Sequence, residues 1–220
     1  MMRVAFATFA ILQEPYGHPT VQEFDDRTPD VFKEAEGSEG FIARAKEVNG
    51  SELSNFERDW GAWGPFRVPR FYTLGRETNT DQRASTISLW KDLPSVFQFV
   101  YAGLHLEAFK KRTQWFKKPE WPTYAIWWVE DDHIPTWEEA SRMLEQLHDE
   151  GPSPIVFDFK ACFDETGNPV KIASLKAKPA EGAAPQKPAA QVTEHQGNGR
   201  PEAQPAGTDA REPKPEHSLG

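Results

Sequence analysis

The sequence predicts an α+β fold for residues 1–163. Segments rich in strand-forming residues alternate with segments of helical periodicity, and two of the helical segments are long enough to cover one side of a sheet. All eight Trp, all fifteen Phe and all four Tyr lie at or before Phe163. Because these side chains can fill one interior, residues 1–163 are predicted to form one domain.

Residues 176–220 are predicted to be a disordered tail rich in Pro, Ala and Glu. They include no aromatic residue and seven of the nineteen prolines. Such a segment cannot bury enough apolar surface to offset the roughly 1–2 kcal/mol per residue that ordering its backbone costs. Residues 164–175 are predicted to be a short extension between the domain and the tail.

Charge and composition exclude several classes of partner. The net charge is −9, and the tail's six basic and six acidic residues cancel, so the negative charge belongs to the domain. An acidic domain repels phosphate backbones, and no apolar run is long enough to span a bilayer, so neither nucleic acid nor membrane is expected. Cys162 is the only cysteine, and residues 1–12 are more typical of a strand than of a signal peptide. A cytoplasmic location is therefore predicted.

The first half of the domain is predicted to contain two strands and a helix. Val4–Leu12 is a strand, Thr20–Glu36 is helical, and Gly40–Val48 is a second strand. Thr28 followed by a proline indicates a second helix start inside the helical segment. The long segment Asn49–Pro69 is predicted to be a loop. Its aromatic residues either cover an apolar site or simply close one end of the core.

The second half is predicted to continue with strands and two larger helices. The predicted elements are a strand or hairpin arms at Phe71–Leu74 and Ala84–Trp90, a helix from Asp92 to about Phe116, a strand at Tyr124–Val129, a helix from Thr136 to about Asp149 and a strand at Ile155–Phe163. Glu139, three residues after Thr136, is expected to complete a capping box. The β-α-β-β-α-β order indicates a ferredoxin-like plan with a mostly antiparallel sheet and helices on one face. Since a second subunit commonly covers the other face, we expect a homodimer.

The segment around the two adjacent tryptophans resembles a known family, catalogued as domain of unknown function 3291 (DUF3291). The residues that carry this resemblance are Ser88, Trp90, Phe99, Val100, Tyr101, His105, Trp115, Phe116, Trp127, Trp128, Val129, His133, Pro135, Thr136, Glu139, Ala140, Leu144, Leu147, Gly151, Pro152, Ser153, Pro154, Phe157 and Phe159. The resemblance implies a dimeric α+β barrel of the antibiotic-biosynthesis-monooxygenase-like superfamily. That superfamily includes cofactor-free monooxygenases of polyketide quinones, haem-binding proteins and stress-related proteins. The sequence departs from the family at Thr8, where the family has Asn.

His105 is the main candidate for chemistry. It is four residues from Tyr101 and four from Phe109, so a continuous helix would place the three on one face. Three roles stay open: a histidine hydrogen-bonded in or beside the core, a general acid or base, and an axial haem ligand. No second His or Cys gives a spacing typical of a zinc site.

The predicted function is that of a small-molecule pocket protein resembling the cofactor-free monooxygenases. His105 is the predicted catalytic base, and a small apolar or aromatic ligand is expected to contact Phe6, Thr8, Trp90, Tyr101 and Trp127. No cofactor is predicted. One alternative is a haem-binding protein with His105 as ligand, and another is a non-catalytic dimeric binding or stress protein.

Overall fold

Four antiparallel strands form the main sheet. A computed structural model describes residues 1–48, 54–72 and 82–176. The strands are β1 (Met2–Ile11), β2 (Phe41–Arg44), β3 (Arg83–Trp90) and β4 (Tyr124–Glu130). Their order in the sheet is β2-β3-β1-β4, which is the ferredoxin-like arrangement. The predicted fold class is confirmed.

Strand β1 lies in the middle of this sheet, between β3 and β4. Successive side chains point to opposite faces, and Val4, Ala5, Phe6 and Ala7 are all buried. Burial on both faces explains why this strand is almost continuously apolar in sequence.

One helix connects β1 to β2: α1 (Pro19–Gly37). The predicted second start at Thr28 is wrong, because α1 runs through Pro29 and the Thr28 hydroxyl donates to the carbonyl of Phe24 at 2.8 Å. The N-cap is His18, whose Nδ1 accepts from the Thr20 amide at 3.3 Å. Pro29 therefore lies inside α1 and does not begin a second helix.

The single helix predicted between Asp92 and Phe116 is two helices, α2 (Leu93–Val100) and α3 (Gly103–Trp115). Asp92 is the N-cap of α2, as its sequence context indicates, and accepts from the Ser95 amide at 2.9 Å. The helix is interrupted between α2 and α3 because Gly103 takes a φ of +49°, a conformation that favours glycine.

The last elements follow β4. They are α4 (Trp137–Glu150), β5 (Cys162–Phe163), β6 (Pro169–Val170) and α5 (Ile172–Leu175). The continuous strand predicted at Ile155–Phe163 does not form. Phe157 bridges to Ile126, the chain then turns with a second bridge between Asp158 and Ala161, and only Cys162–Phe163 is a strand. Leu175 is buried among residues of α2, so the predicted extension packs onto the domain. Residues 177–220, the rest of the predicted tail, lie outside the described residues.

The two faces of the sheet carry two separate apolar layers. The α2 face consists of Val4, Phe6, Trp90 and Ile126 and is covered by α2, by Ala35 of α1 and by Phe157 and Phe159. The α4 face consists of Ala5, Ala7, Ile87, Leu89 and Trp127.

The α4 face is covered by α4 and by the covering segment, which we define as residues 54–72. Trp63 and Phe66 of this segment are buried against the α4 face. The sequence predicted that such aromatic residues would pack over apolar surface, and they do. The predicted strand beginning at Phe71 is a turn as far as Tyr72, and residues 73–74 lie outside the described residues. The homodimer stays a prediction, but an uncovered sheet face no longer argues for it.

Candidate functional site

His105 lies in the first turn of α3, beside the break from α2. Its Nδ1 is 2.9 Å from the carbonyl oxygen of Val100, and its ring centroid is 4.7 Å from that of Phe99. Burial lowers the pKa of His105 below its usual range, while the bond to Val100 and the nearby charge of Glu34 oppose that shift. The imidazole is therefore fixed in orientation and biased toward its neutral form.

The carboxylate of Glu34 in α1 holds the start of α3. It accepts from the amides of Leu104 at 3.1 Å and His105 at 3.2 Å. A Cβ added to Gly103 would lie 1.9 Å from Oε1 of this carboxylate. Glycine is thus required at position 103 for two reasons, its φ and the close approach of Glu34. Sequence periodicity does not reveal this contact, because Glu34 and His105 are far apart in the chain.

Three of the predicted ligand-contacting residues lie on the α2 face, but they do not surround His105. Trp90 is fully buried, and its ring stacks on that of Phe99 with the ring centroids 5.1 Å apart. Because Phe99 lies between His105 and Trp90, a ligand at His105 would contact Phe99 and not Trp90. Phe6 is buried beside Tyr124. Tyr101 lies in the break after α2 and is 36% exposed, so the continuous helical face predicted for it and His105 does not form.

Trp127 does not belong to that group, whereas Thr8 is two residues from Phe6 in β1 and lies on the same side of the sheet. Trp127 lies on the α4 face, opposite Trp90, so the predicted pocket that combined them is wrong in its geometry. Trp128 lies on the α2 side, because adjacent residues of a strand point to opposite faces. The hydroxyl of Thr8 bonds to that of Thr86 across the strand pair at 2.8 Å.

A carboxylate–imidazole pair lies on the α4 side. Oε1 of Glu139 accepts from the indole of Trp127 at 2.7 Å, and Oε2 is 2.6 Å from Nε2 of His133. The Glu139 amide donates to the hydroxyl of Thr136 at 3.2 Å, which is one half of the predicted capping box. The other half, a bond from the Thr136 amide to the Glu139 carboxylate, does not form, because that carboxylate is bonded to Trp127 and His133. The Glu139 carboxylate thus links β4 to the turn before α4. His133 thus lies in the turn between β4 and α4, with its ring held by Glu139.

Described residues line a groove and a much smaller cavity. The groove, of about 320 Å³, lies between α1 and β2 and is lined in part by Phe32, Lys33, Glu36 and Arg44. The cavity, of about 10 Å³, lies between the sheet, α4 and the covering segment. Of the six predicted site residues only Thr8 lines either cavity.

The residues around His105 do not fit a haem. Phe99 packs against the imidazole at 4.7 Å, and neither of the two cavities reaches it. Elsewhere in the described ranges, no group of three or more His, Cys, Asp or Glu is arranged to hold a metal ion. No helix in the described part of the chain is long and apolar enough to cross a membrane.

The fold and the helix histidine define an α+β protein with a ferredoxin-like sheet and one strongly oriented imidazole. The chain belongs to the family described as Domain of unknown function (DUF3291), which matches residues 3–173. A search among curated proteins finds no match to the sequence.

Two solved structures show a low level of similarity to the chain. One, a protein of unknown function from Nitrosomonas europaea, is 10% identical and has a TM-score of 0.34, with 61% of this chain and 93% of that chain covered. The other is SnoaB, a cofactor-independent oxygenase from Streptomyces nogalater. It is 10% identical and has a TM-score of 0.35, with 61% of this chain and 97% of that chain covered. Likenesses this distant do not bear on the reaction of this chain.

Proposed function

We propose that the protein binds a small aromatic molecule at the α2–α3 break and that His105 removes a proton from it. The observation that carries this proposal is the 2.9 Å contact between Nδ1 of His105 and the carbonyl oxygen of Val100. A carbonyl oxygen only accepts hydrogen bonds, so Nδ1 carries the hydrogen and Nε2 keeps the lone pair of a base.

Electrostatics favour the same role. A general base must be unprotonated at the working pH, and burial lowers the pKa of His105. The Val100 carbonyl also fixes the ring, so the direction of the Nε2 lone pair is set before a ligand arrives.

An aromatic ligand has apolar surface to contact at this break. Phe99 packs against the imidazole, while Tyr101 and Leu104 are 36% and 37% exposed. A planar ring could bury these two side chains and gain about 25 cal/mol for each Å² of apolar surface removed from water. Exposed apolar residues beside an oriented base suit a ligand that is aromatic and weakly acidic.

The reaction proposed is the cofactor-free monooxygenation of the superfamily that the sequence resembles. A phenolic aromatic molecule becomes electron-rich when it loses a proton, and it can then reduce dioxygen without a cofactor. With a hydroxyanthrone, the ring CH₂ becomes C=O; one oxygen atom enters the product and the other leaves as water. The protein supplies the base and a site with little water.

Oxygen uptake with 1,8-dihydroxyanthrone as the probe tests this proposal. We expect the protein to accelerate uptake above the buffer rate, and His105→Gln to lower that acceleration by about 10²-fold or more. His148→Gln, which changes a histidine packed on Phe71, is the matched control and should keep the rate. No acceleration by the unmodified protein, or equal rates for the two variants, contradicts the proposal. The first result favours the non-catalytic alternative, and the second would mean that His105 is not the base.

A further inference from the structure

Helix α3, which carries His105, begins without a cap of its own. Its N-cap residue, Ala102, has no side-chain oxygen that could accept from the amides of the first turn, and that turn contains no acidic residue. The first amides of a helix have no partner within it, and together they form its positive end. The amides at the start of α3, one of which belongs to His105, therefore need an acceptor from elsewhere in the fold.

Glu34 of α1 supplies that acceptor. Its two carboxylate oxygens bind one amide each, Oε1 that of Leu104 at 3.1 Å and Oε2 that of His105 at 3.2 Å. Helices α1 and α3 are also joined by an ion pair between Arg27 and Glu107 at 3.4 Å. A carboxylate of one helix thus does for another what an N-cap or capping-box residue does within a single helix.

The same carboxylate places a negative charge near the imidazole. From α2, His105 contacts the carbonyl of Val100 and the ring of Phe99, neither of which is charged. Burial lowers the pKa of His105, and the bond to Val100 and the charge of Glu34 oppose that effect, so that Glu34 is the one charged group of the described residues in this balance. The carboxylate also offsets the positive end of α3, which would otherwise disfavour a proton on the ring.

We propose that Glu34 is the positioning residue of the base His105, capping α3 from α1 so that the imidazole is held in place beside a negative charge. Its role in catalysis rests on the function proposed above, whereas its role as a cap does not. A base that loses too much of its proton affinity is weak, and Glu34 limits that loss. Glu34 acts through His105 and needs no contact with the ligand, because both of its hydrogen bonds go to backbone amides.

Glu34→Gln removes the charge of this side chain and keeps an oxygen that can accept a hydrogen bond. In NMR titrations of the full chain, the ring of His105 should therefore titrate at lower pH in Glu34→Gln than in the unmodified protein. The acidic limb of the pH–rate profile for oxygen uptake with 1,8-dihydroxyanthrone should move to lower pH together with the NMR titration. A purely structural role of Glu34 would move neither.

Glu34→Ala removes the acceptor as well as the charge. The amides of Leu104 and His105 should exchange with solvent faster in this variant than in Glu34→Gln, as measured by hydrogen exchange. Because the imidazole is then less well placed, the plateau rate of oxygen uptake should be about tenfold below that of Glu34→Gln. Equal amide exchange in Glu34→Ala and the unmodified protein would overturn the role of Glu34 as a cap.

Glu36→Gln is the matched control, since it makes the same change two residues away in α1. The Glu36 carboxylate binds Arg44 and Lys46, each at 2.8 Å, so this variant should leave the titration of His105 unchanged. The electrostatic role of Glu34 is overturned if His105 titrates at the same pH in Glu34→Gln and the unmodified protein, or if Glu36→Gln shifts it equally. A protein that does not accelerate oxygen uptake contradicts the proposed function and the catalytic role of Glu34, but the NMR titration and amide exchange still decide its role as a cap.

Discussion

The two faces of the sheet differ in how completely their polar side chains are paired. On the α2 face, Trp90 Nε1 donates to the hydroxyl of Ser88 at 2.8 Å and Trp128 Nε1 donates to the carbonyl of Phe163 at 2.9 Å. On the α4 face, the indole of Trp127 is paired with Glu139, but that of Trp137 is unpaired within the described residues. These indoles of the α2 face are thus fully paired, while the α4 face has a buried indole N–H without a partner among the described residues.

The largest expected effect is on the α2 face. Trp90→Ala removes a fully buried ring. Its centroid lies 5.2 Å from that of the Phe41 ring and 5.1 Å from that of the Phe99 ring. We expect the free energy of unfolding to fall by about 3–5 kcal/mol, because the surrounding side chains cannot fill the space. Urea unfolding followed by far-UV circular dichroism measures this loss. A loss below about 1 kcal/mol would show that the α2 face is not closely packed.

The next largest effect compares two tryptophans on the α4 face. Trp127→Phe removes the indole N–H from Glu139, whose side chain is 14% exposed, and leaves one carboxylate oxygen without its donor. Trp137→Phe removes an N–H that has no partner among the described residues. Since both changes shrink the ring equally, Trp127→Phe should lower the free energy of unfolding by about 1.5–3 kcal/mol more, as measured by urea unfolding. Equal losses would mean that the Trp137 indole is hydrogen-bonded after all.

A smaller effect is expected at the helix break beside His105. Gly103→Ala introduces a Cβ at a φ of +49° and against Glu34, so the unfolding free energy should fall by about 1–2 kcal/mol. Gly37→Ala is the matched control. A Cβ at position 37 meets nothing within 4 Å, so that variant should be neutral or slightly more stable. Equal stability of the two variants would contradict the role assigned to Gly103.

The sequence predicts best the elements whose signals are local. The alternation in β4 and the cap at Thr136 with an apolar stripe through Leu144 lead directly to the observed strand and helix. The break at Gly103 was missed because apolar residues keep their spacing across it, and the contact with Glu34 that stabilises it comes from another helix.

The candidate site was harder to predict than the fold. Alternation along β4 shows that Trp127 and Trp128 face opposite ways, but it does not show which of them shares a face with Trp90. That depends on strand register, in which Val4 pairs with both Trp90 and Trp128. Similarly, the indole of Trp137, which has no partner among the described residues, is buried by residues distant in the chain, and no local pattern predicts that.

The smallest expected effect concerns the titration of His105. Its pKa is lowered in the folded state by burial, so below about pH 6.5 the unfolded chain binds more protons than the folded one. The unfolding free energy should therefore rise with pH up to about 6.5, and the contribution of His105 should be complete above that value and decline as the pH falls. His105→Gln should lose this part of the pH dependence, whereas His148→Gln should keep it. Urea titrations between about pH 5 and pH 7.5 measure the slopes, and identical slopes for the unmodified protein and His105→Gln would show that the imidazole is not held neutral by the fold.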